Sequence, residues 1–226
     1  MDTKETYDAS KFEKPSVTVD VLFFTIKEGM LQVLLIKRAA WPYDSKWALP
    51  GGFVRMNESL DEAAQREICE ECGVKNLYLE QLYTFGDPKR DPRTRVITVA
   101  YYALAPSTEI KEVQEEEVRE AKYFSINDLP KLAFDHKVII EKGFERLKSK
   151  LGYSNIVFGL LPKTFPLSEV QKIYEIIYGR SIDKRNFRKW ILSSGLVVST
   201  DKKSAGLAHR PALLYRFVKN EVVTFK

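Results

Sequence analysis

Residues 52–74 read GFVRMNESLDEAAQREICEECGV. From Ser59 to Cys72 there is no Gly or Pro, Ser59 and Glu62 form the S-x-x-E pattern of a capping box, and Gly73 supplies a stop. The spacing therefore predicts a helix over 59–72. On it, Glu67, Glu70 and Glu71 stand at i, i+3 and i+4, so their carboxylates project from one face. Clustered carboxylates repel unless something positive lies among them, and hard divalent cations such as Mg²⁺ take oxygen ligands of this sort. Arg66 is placed to clamp a carboxylate or steady the preceding loop. Taken alone, such a cluster reads first as a solvated acidic helix face.

Working outward, SVTVDVLFFTI and LQVLLIKR are β-branched, strand-like runs, with the turn Lys27-Glu28-Gly29 before the second. AAWPYDSKWALPGG is a loop whose Trp41, Tyr43 and Trp47 either stack on a ligand ring or simply pack, and FVRM reads as a short strand. Strands follow at 78–84 and 95–104, separated by the charged loop FGDPKRDPRT. INDLP, residues 126–130, reads as a helix start, and Ile140, Phe144, Leu147 and Leu151 recur at helical spacing, which predicts a helix from Asp135 to about Leu151.

Gly52, Glu58, Arg66-Glu67-Ile68, Glu70-Glu71 and Gly73-Val74 fill every fixed position of G-x5-E-x7-R-E-U-x-E-E-x-G-U, and the chain resembles the Nudix hydrolases in this respect. The resemblance implies an α/β fold, an α/β/α sandwich around a mixed sheet. It also implies that Glu67, Glu70 and Glu71 bind Mg²⁺ or Mn²⁺, with Glu58 and Arg66 supporting, for attack of water on a pyrophosphate linkage. Arg38, Gly52 and the loop residues Asp87, Arg90, Asp91 and Arg93 are then expected near a ligand's anionic or hydroxyl groups. The Glu115-Glu116-Glu117 run lies where the family houses a base, though it also reads as a solvated acidic turn. The family holds both enzymes and relatives that only bind.

Beyond Gly152 the pattern resets, which predicts one domain over 1–152 and a second over 153–226. Leu167, Val170, Ile173, Tyr174 and Ile177 mark an amphipathic helix closed by Gly179. In SIDKRNFRKWILSSG, Asp183 is a candidate N-cap, and Phe187, Trp190 and Ile191 share a face opposite Arg185, Arg188 and Lys189. Two strand-like runs around a loop with Asp201, Lys202 and Lys203 complete the order of a winged helix-turn-helix. Lys184, Arg185, Asn186, Arg188 and Lys189 are the expected groove and phosphate contacts, and Lys202, Lys203, His209 and Arg210 the wing contacts. A Nudix domain followed by DKRNFRK and a terminal RPALLYRF resembles the NrtR-like transcription regulators. That resemblance implies a homodimer on a palindromic operator in double-stranded DNA, sensing an ADP-ribose-type metabolite or, in sugar-catabolic branches, a pentose. The alternative is a Mg²⁺-dependent hydrolase of ADP-ribose or another nucleoside diphosphate derivative.

Charge supports two units. Residues 151–226 carry 13 Lys+Arg against 5 Asp+Glu, a balance of +8, while the whole chain stands at 36 against 31, or +5, leaving −3 for the first 150. A basic module on an acidic body is the footprint of a polyanion partner, or of a solvated basic surface. The composition, 44% hydrophobic, is that of a packed globule. No apolar stretch approaches the roughly 18 residues that span a bilayer, which argues against a membrane partner. The N-terminal segment lacks the apolar region of a signal peptide, and with only two cysteines the expected compartment is the reducing cytoplasm. Cys69 and Cys72 lack the further ligands of a zinc site and read as inert thiols. His136 reads as a capping or packing residue.

Overall fold

A computed structural model describes residues 8–72, 77–107, 118–204 and 211–225. The chain folds in the order β1 (Ser16–Lys27), β2 (Met30–Arg38), β3 (Trp47–Ala48), β4 (Gly51–Phe53), α1 (Leu60–Cys72), β5 (Tyr78–Phe85), β6 (Val96–Leu104), β7 (Val118–Ser125) and α2 (His136–Leu151). After a 3-10 turn at Ile156–Leu160 come β8 (Phe165–Pro166), α3 (Leu167–Tyr178), α4 (Lys184–Ser193), β9 (Val197–Lys203) and β10 (Leu213–Phe217). No helix among the described residues is long and apolar enough to cross a membrane.

The first seven strands form one mixed sheet, β1 running parallel to β6 and antiparallel to β2. Side chains alternate along β1, and each face finds its own helix. Val19, Val21 and Phe23 pack with Ala63, Ala64 and Ile68 of α1, whereas Leu22 and Phe24 pack in the cluster holding Ile139, Ile140 and Leu147 of α2. This is the expected α/β/α sandwich. Gly143 lets α2 approach β1, since a Cβ there would sit 2.0 Å from Leu22 Cδ2.

The β1–β2 hairpin pairs near its turn, from Phe24↔Val33 to Lys27↔Met30, and then splays. Beyond the splay β1 takes β4 (Thr18↔Phe53) and β2 takes β3 (Lys37↔Trp47), so a gap opens between the strands at the mouth of the sheet. The short strand expected at FVRM reaches only Phe53, and Val54 donates its last sheet-side bond to Val17 O at 3.0 Å. INDLP is a turn, not a helix start. Pro130 disfavours helical backbone at the residue before it, and Leu132 and Ala133 are held to Trp47 by a bridge and a 2.8 Å backbone bond, so the helix waits until His136.

The C-terminal half is a winged helix: α3 and α4 against a three-stranded sheet of order β8-β10-β9. Gly179 ends α3 with φ +66°, the left-handed stop that glycine adopts without strain. Phe165, Val170, Ile173, Phe187, Ile191 and Tyr215 belong to the same apolar cluster as α2 and its sheet face, so the core runs on without interruption.

Candidate functional site: box, cavity and basic helix

The capping box closes as its sequence predicts. Ser59 N donates to Glu62 Oε2 at 2.7 Å and Glu62 N to Ser59 Oγ at 3.2 Å, which fixes where α1 begins. Arg66 then ties the loop to the helix. Its Nη2 and Nε donate to the two oxygens of Glu58 at 2.7 and 2.9 Å, while Nη1 donates to Glu67 Oε1 at 2.6 Å and Glu70 Oε2 at 3.1 Å. The hydrogen bonds from Arg66 and from the Arg55 amide hold the Glu58 carboxyl down at about 2. Glu67 is buried directly behind Gly52.

Arg66 is therefore the counter-ion of Glu58, Glu67 and Glu70. Glu71 lies on α1, but its side chain is outside the described residues. Among the described residues, no group of three or more His, Cys, Asp or Glu side chains is arranged to hold a metal ion. Glu67 and Glu70, the described members of the acidic set that the box implies for Mg²⁺ or Mn²⁺, are both bonded to Arg66. Cys69 forms no disulfide. Glu115, Glu116 and Glu117 lie outside the described residues.

The gap left by the splayed hairpin is a cavity of about 130 Å³. Thr18 and Asp20 come from β1, Ile36 and Arg38 from β2, Gly51 and Gly52 from β4, and Arg90, Asp91 and Arg93 from the charged loop, with Phe134 and His136 at the start of α2. Arg38, Gly52, Arg90, Asp91 and Arg93 are thereby brought together. Asp87 instead lines the adjoining wider cleft of about 560 Å³, with Tyr43, Tyr83 and Phe85, where it also accepts the Lys89 amide at 2.7 Å. Arg90 and Phe134 line both spaces and join them.

The cations have distinct tasks. Arg90, with only 4% of its side chain exposed, donates twice to Asp135 (2.7 and 3.0 Å) and once to Asp20 (3.2 Å), so it braces the start of α2 against β1. Arg93 grips Asp91 with two bonds, at 2.7 and 3.0 Å. The Arg93 guanidinium also lies 5.7 Å from the Phe134 ring and 5.4 Å from the Phe53 ring, and that of Arg38 lies 5.0 Å from Phe134. Two guanidinium groups thus flank one aromatic ring, and Tyr43 meets the same ring edge-on at 4.8 Å. Thr18 Oγ1 is buried on this wall with no hydrogen-bond partner among the described residues.

His136 proves to be a packing residue. Its Nδ1 accepts the Leu49 amide at 2.8 Å, which makes the ring neutral with its proton on Nε2, 3.5 Å from Asp20 Oδ1. Complete burial pushes its pKa below the usual histidine value, and the nearby aspartates offset this only in part. Of the pre-box aromatics, Tyr43 reaches the cleft, Trp47 packs on Phe124 at 4.7 Å, and Trp41 is exposed. Asp20, Phe134 and Asp135 escaped the sequence reading. Asp20 alone carried a signal, as the one charged residue in an apolar β-branched run.

In the winged helix, Asp183 caps α4 by accepting the Asn186 amide at 2.8 Å. Phe187 and Ile191 are buried and Trp190 is half-buried, while Lys184, Arg185, Asn186, Arg188 and Lys189 are all exposed. The helix therefore shows solvent a cationic face with one amide. Lys202 and Lys203 are exposed too, but on a strand rather than a loop, because β9 continues to pair with β10 as far as Lys203↔Leu213. His209 and Arg210 lie outside the described residues.

Comparison with known proteins agrees with both halves. A family model of the NUDIX domain matches residues 14–143, and one of the NrtR DNA-binding winged helix domain matches residues 157–217. The chain is 40% identical over 216 residues to the ADPR responsive transcriptional repressor NtrR of Acinetobacter baylyi, covering 93% of this chain and 85% of that protein. It is 40% identical over 135 residues to an ADP-ribose pyrophosphatase of Methanocaldococcus jannaschii, covering 60% of this chain and 76% of that one. The crystal structure of Shewanella oneidensis NrtR complexed with a 27mer DNA superposes with a TM-score of 0.80 at 35% identity, over 89% of this chain and 93% of that chain.

Proposed function

The chain belongs to the NrtR-type family of Nudix-related transcription regulators, and from that premise we propose that it is a DNA-binding repressor controlled by an ADP-ribose-type nucleotide bound in the splayed-hairpin cavity. The observation that carries the ligand class is the pair of guanidinium groups on the Phe134 ring. Guanidinium forks match phosphate oxygens, and an aromatic wall matches a nucleobase, so a nucleoside diphosphate sugar uses both. A free pentose offers hydroxyls alone and no anion to match a guanidinium fork. The cavity by itself is smaller than the roughly 300–1,000 Å³ of a small-molecule site, but joined to the adjoining cleft it falls in that range. Thr18 Oγ1 offers a buried hydroxyl to the ligand.

In this reading residues 1–152 sense and residues 153–226 bind DNA in the cytoplasm. Two copies present two α4 helices to successive major-groove half-sites of a palindrome. Arg185, Asn186 and Arg188 are suited to base edges, and Lys184, Lys189, Lys202 and Lys203 to phosphates. Effector and DNA are coupled because the effector binds the DNA-competent and incompetent states with different affinity.

The test is a fluorescence-anisotropy titration against the DNA upstream of the protein's own gene, with a scrambled duplex as control, repeated with ADP-ribose and with pentoses. Sequence-specific binding shifted by ADP-ribose is the expected result. Equal affinity for the scrambled duplex rules the regulator out, and a shift by a pentose alone replaces the ligand class.

The complete box favours a second reading, a hydrolase of ADP-ribose-type diphosphates with Glu67, Glu70 and Glu71 holding Mg²⁺ or Mn²⁺. Incubation of ADP-ribose with the protein and either ion, followed for release of AMP, separates the two. Absence of cleavage leaves a sensor only.

A further inference from the structure

The segment that leaves α2 and the segment that follows the wing are bound to each other. Asn155, 2% exposed, donates its backbone amide to Val223 O at 3.1 Å and its Nδ2 to Glu221 O at 3.0 Å, and its Oδ1 accepts the Val223 amide at 2.7 Å. Ser154 bridges to Thr224, and the Phe225 amide donates to Tyr153 O at 2.8 Å. One asparagine thus satisfies three backbone groups of a tail that has no helix or sheet of its own to do so. The Phe225 ring then reaches Trp190 of α4 at 5.8 Å, edge-on.

Trp190 is the half-buried member of the apolar face of α4, and it also touches Tyr174 of α3 and Phe187. The apolar face of α4 is therefore seated partly on the tail, and the basic face opposite it points to solvent. At the other end of the same path, Asp135, the residue before α2, is held by Arg90 on the cavity wall. The 16 residues of α2 span about 24 Å between these two points. A helix packed along its length moves as a rigid element, so a shift imposed at Asp135 reappears at the clasp around Asn155.

We propose that the tail at 221–225, clasped by Asn155 and seated against Trp190, is the element that couples the effector cavity to the pose of α4. Phe225 and Asn155 are positioning residues: they touch neither effector nor DNA. The inference rests on the sensing function proposed above and adds where its coupling resides. An effector anion at the arginines alters the Arg90–Asp135 brace, α2 carries the change, and the clasp delivers it to Trp190.

The experiment measures DNA affinity with and without ADP-ribose for the full-length wild type, Phe225→Ala, Phe225→Tyr and Asn155→Ala, with calorimetry of ADP-ribose binding to each. In Phe225→Ala and Asn155→Ala the ratio of the two DNA affinities is expected to fall at least threefold toward unity, while ADP-ribose affinity stays within twofold of wild type. Phe225→Tyr, which keeps the ring, is expected to keep the ratio. If Asn155→Ala does not fold, Phe225→Ala carries the test. A responsive wild type with an equally responsive Phe225→Ala overturns this inference alone. A wild type whose specific DNA binding ignores ADP-ribose overturns the sensing function, and this inference with it.

Discussion

The carboxylate of Glu67 lies so close behind the backbone of Gly52 that a Cβ added to the glycine would stand 2.4 Å from Oε1. The first residue of the box is thus a glycine because the helix glutamate occupies the space a side chain needs. Gly52→Ala should push the Glu67 carboxylate, the far end of a flexible side chain, out of its bond with Arg66 and lower stability by about 1 kcal/mol, the net worth of one hydrogen bond. Urea unfolding measures it, and an unchanged midpoint refutes the close approach.

Arg38 and Arg93 are the cavity cations that lie over the Phe134 ring. Arg38→Ala and Arg93→Ala should each weaken ADP-ribose binding about tenfold or more, roughly 1.4 kcal/mol apiece, with DNA affinity in the absence of ligand retained. Isothermal titration calorimetry reads the loss. Wild-type affinity in both variants would move the phosphate site elsewhere.

Burial lowers the His136 pKa in the folded state, so between the unfolded value near 6.5 and the lowered one the unfolded chain holds the extra proton. The stability this residue contributes is fully present above about pH 6.5 and is lost as the pH falls below it. Denaturation midpoints should drop through that window in the wild type and more shallowly in His136→Asn, whose amide oxygen stands at the δ position from which Nδ1 accepts the Leu49 N–H. Parallel profiles in the two proteins would contradict the buried neutral imidazole. Glu58 acts lower: its contribution is present above about 4.5 and is lost as the pH falls toward about 2.

The exposed cations of α4 are expected to act through phosphates and base edges together. Removing Arg185 or Arg188 should weaken specific binding by about 1–3 kcal/mol if the side chain reads a base. Lys184→Ala or Lys189→Ala should instead lower specific and nonspecific binding alike and flatten the salt dependence by about one unit of slope. Anisotropy titrations across a salt series distinguish the two patterns, and slopes unchanged in every variant would detach this helix from the DNA.

The box helix, its cap and the winged helix were legible in the chain because each is written locally, in period, capping and spacing, and the sandwich was legible through the family resemblance that the box carries; Gly73, the expected stop, lies outside the described residues. Ser59 with Glu62, and Asp183 with Asn186, are contacts a few residues apart that sequence alone specifies. The cavity was legible only in part. Arg38 and the loop at 87–93 stood out as charge, but Asp135 and Asp20 meet Arg90 across 45 and 70 residues of chain, and Phe134 meets Arg38 and Arg93, proximities created by the splay of β1 from β2. Charge pattern also gives no notice that Arg90 is consumed by its own carboxylates, since that depends on burial. The placement of Lys202 and Lys203 on a strand depended on how far β10 follows β9, which no local motif marks.

The apolar cluster that passes from the sheet through α2 into α3 and α4 ties the thermal fate of the two halves together. Trp47 reports from the sheet and Trp190 from the winged helix, and since both pack against this one cluster their melting curves should superimpose as one cooperative transition. A chain that melts in one such transition has no populated state in which a folded winged helix survives an unfolded Nudix half. Heat or a damaging substitution in either half then removes the protein from its operator entirely, and no deregulated fragment is left holding the DNA.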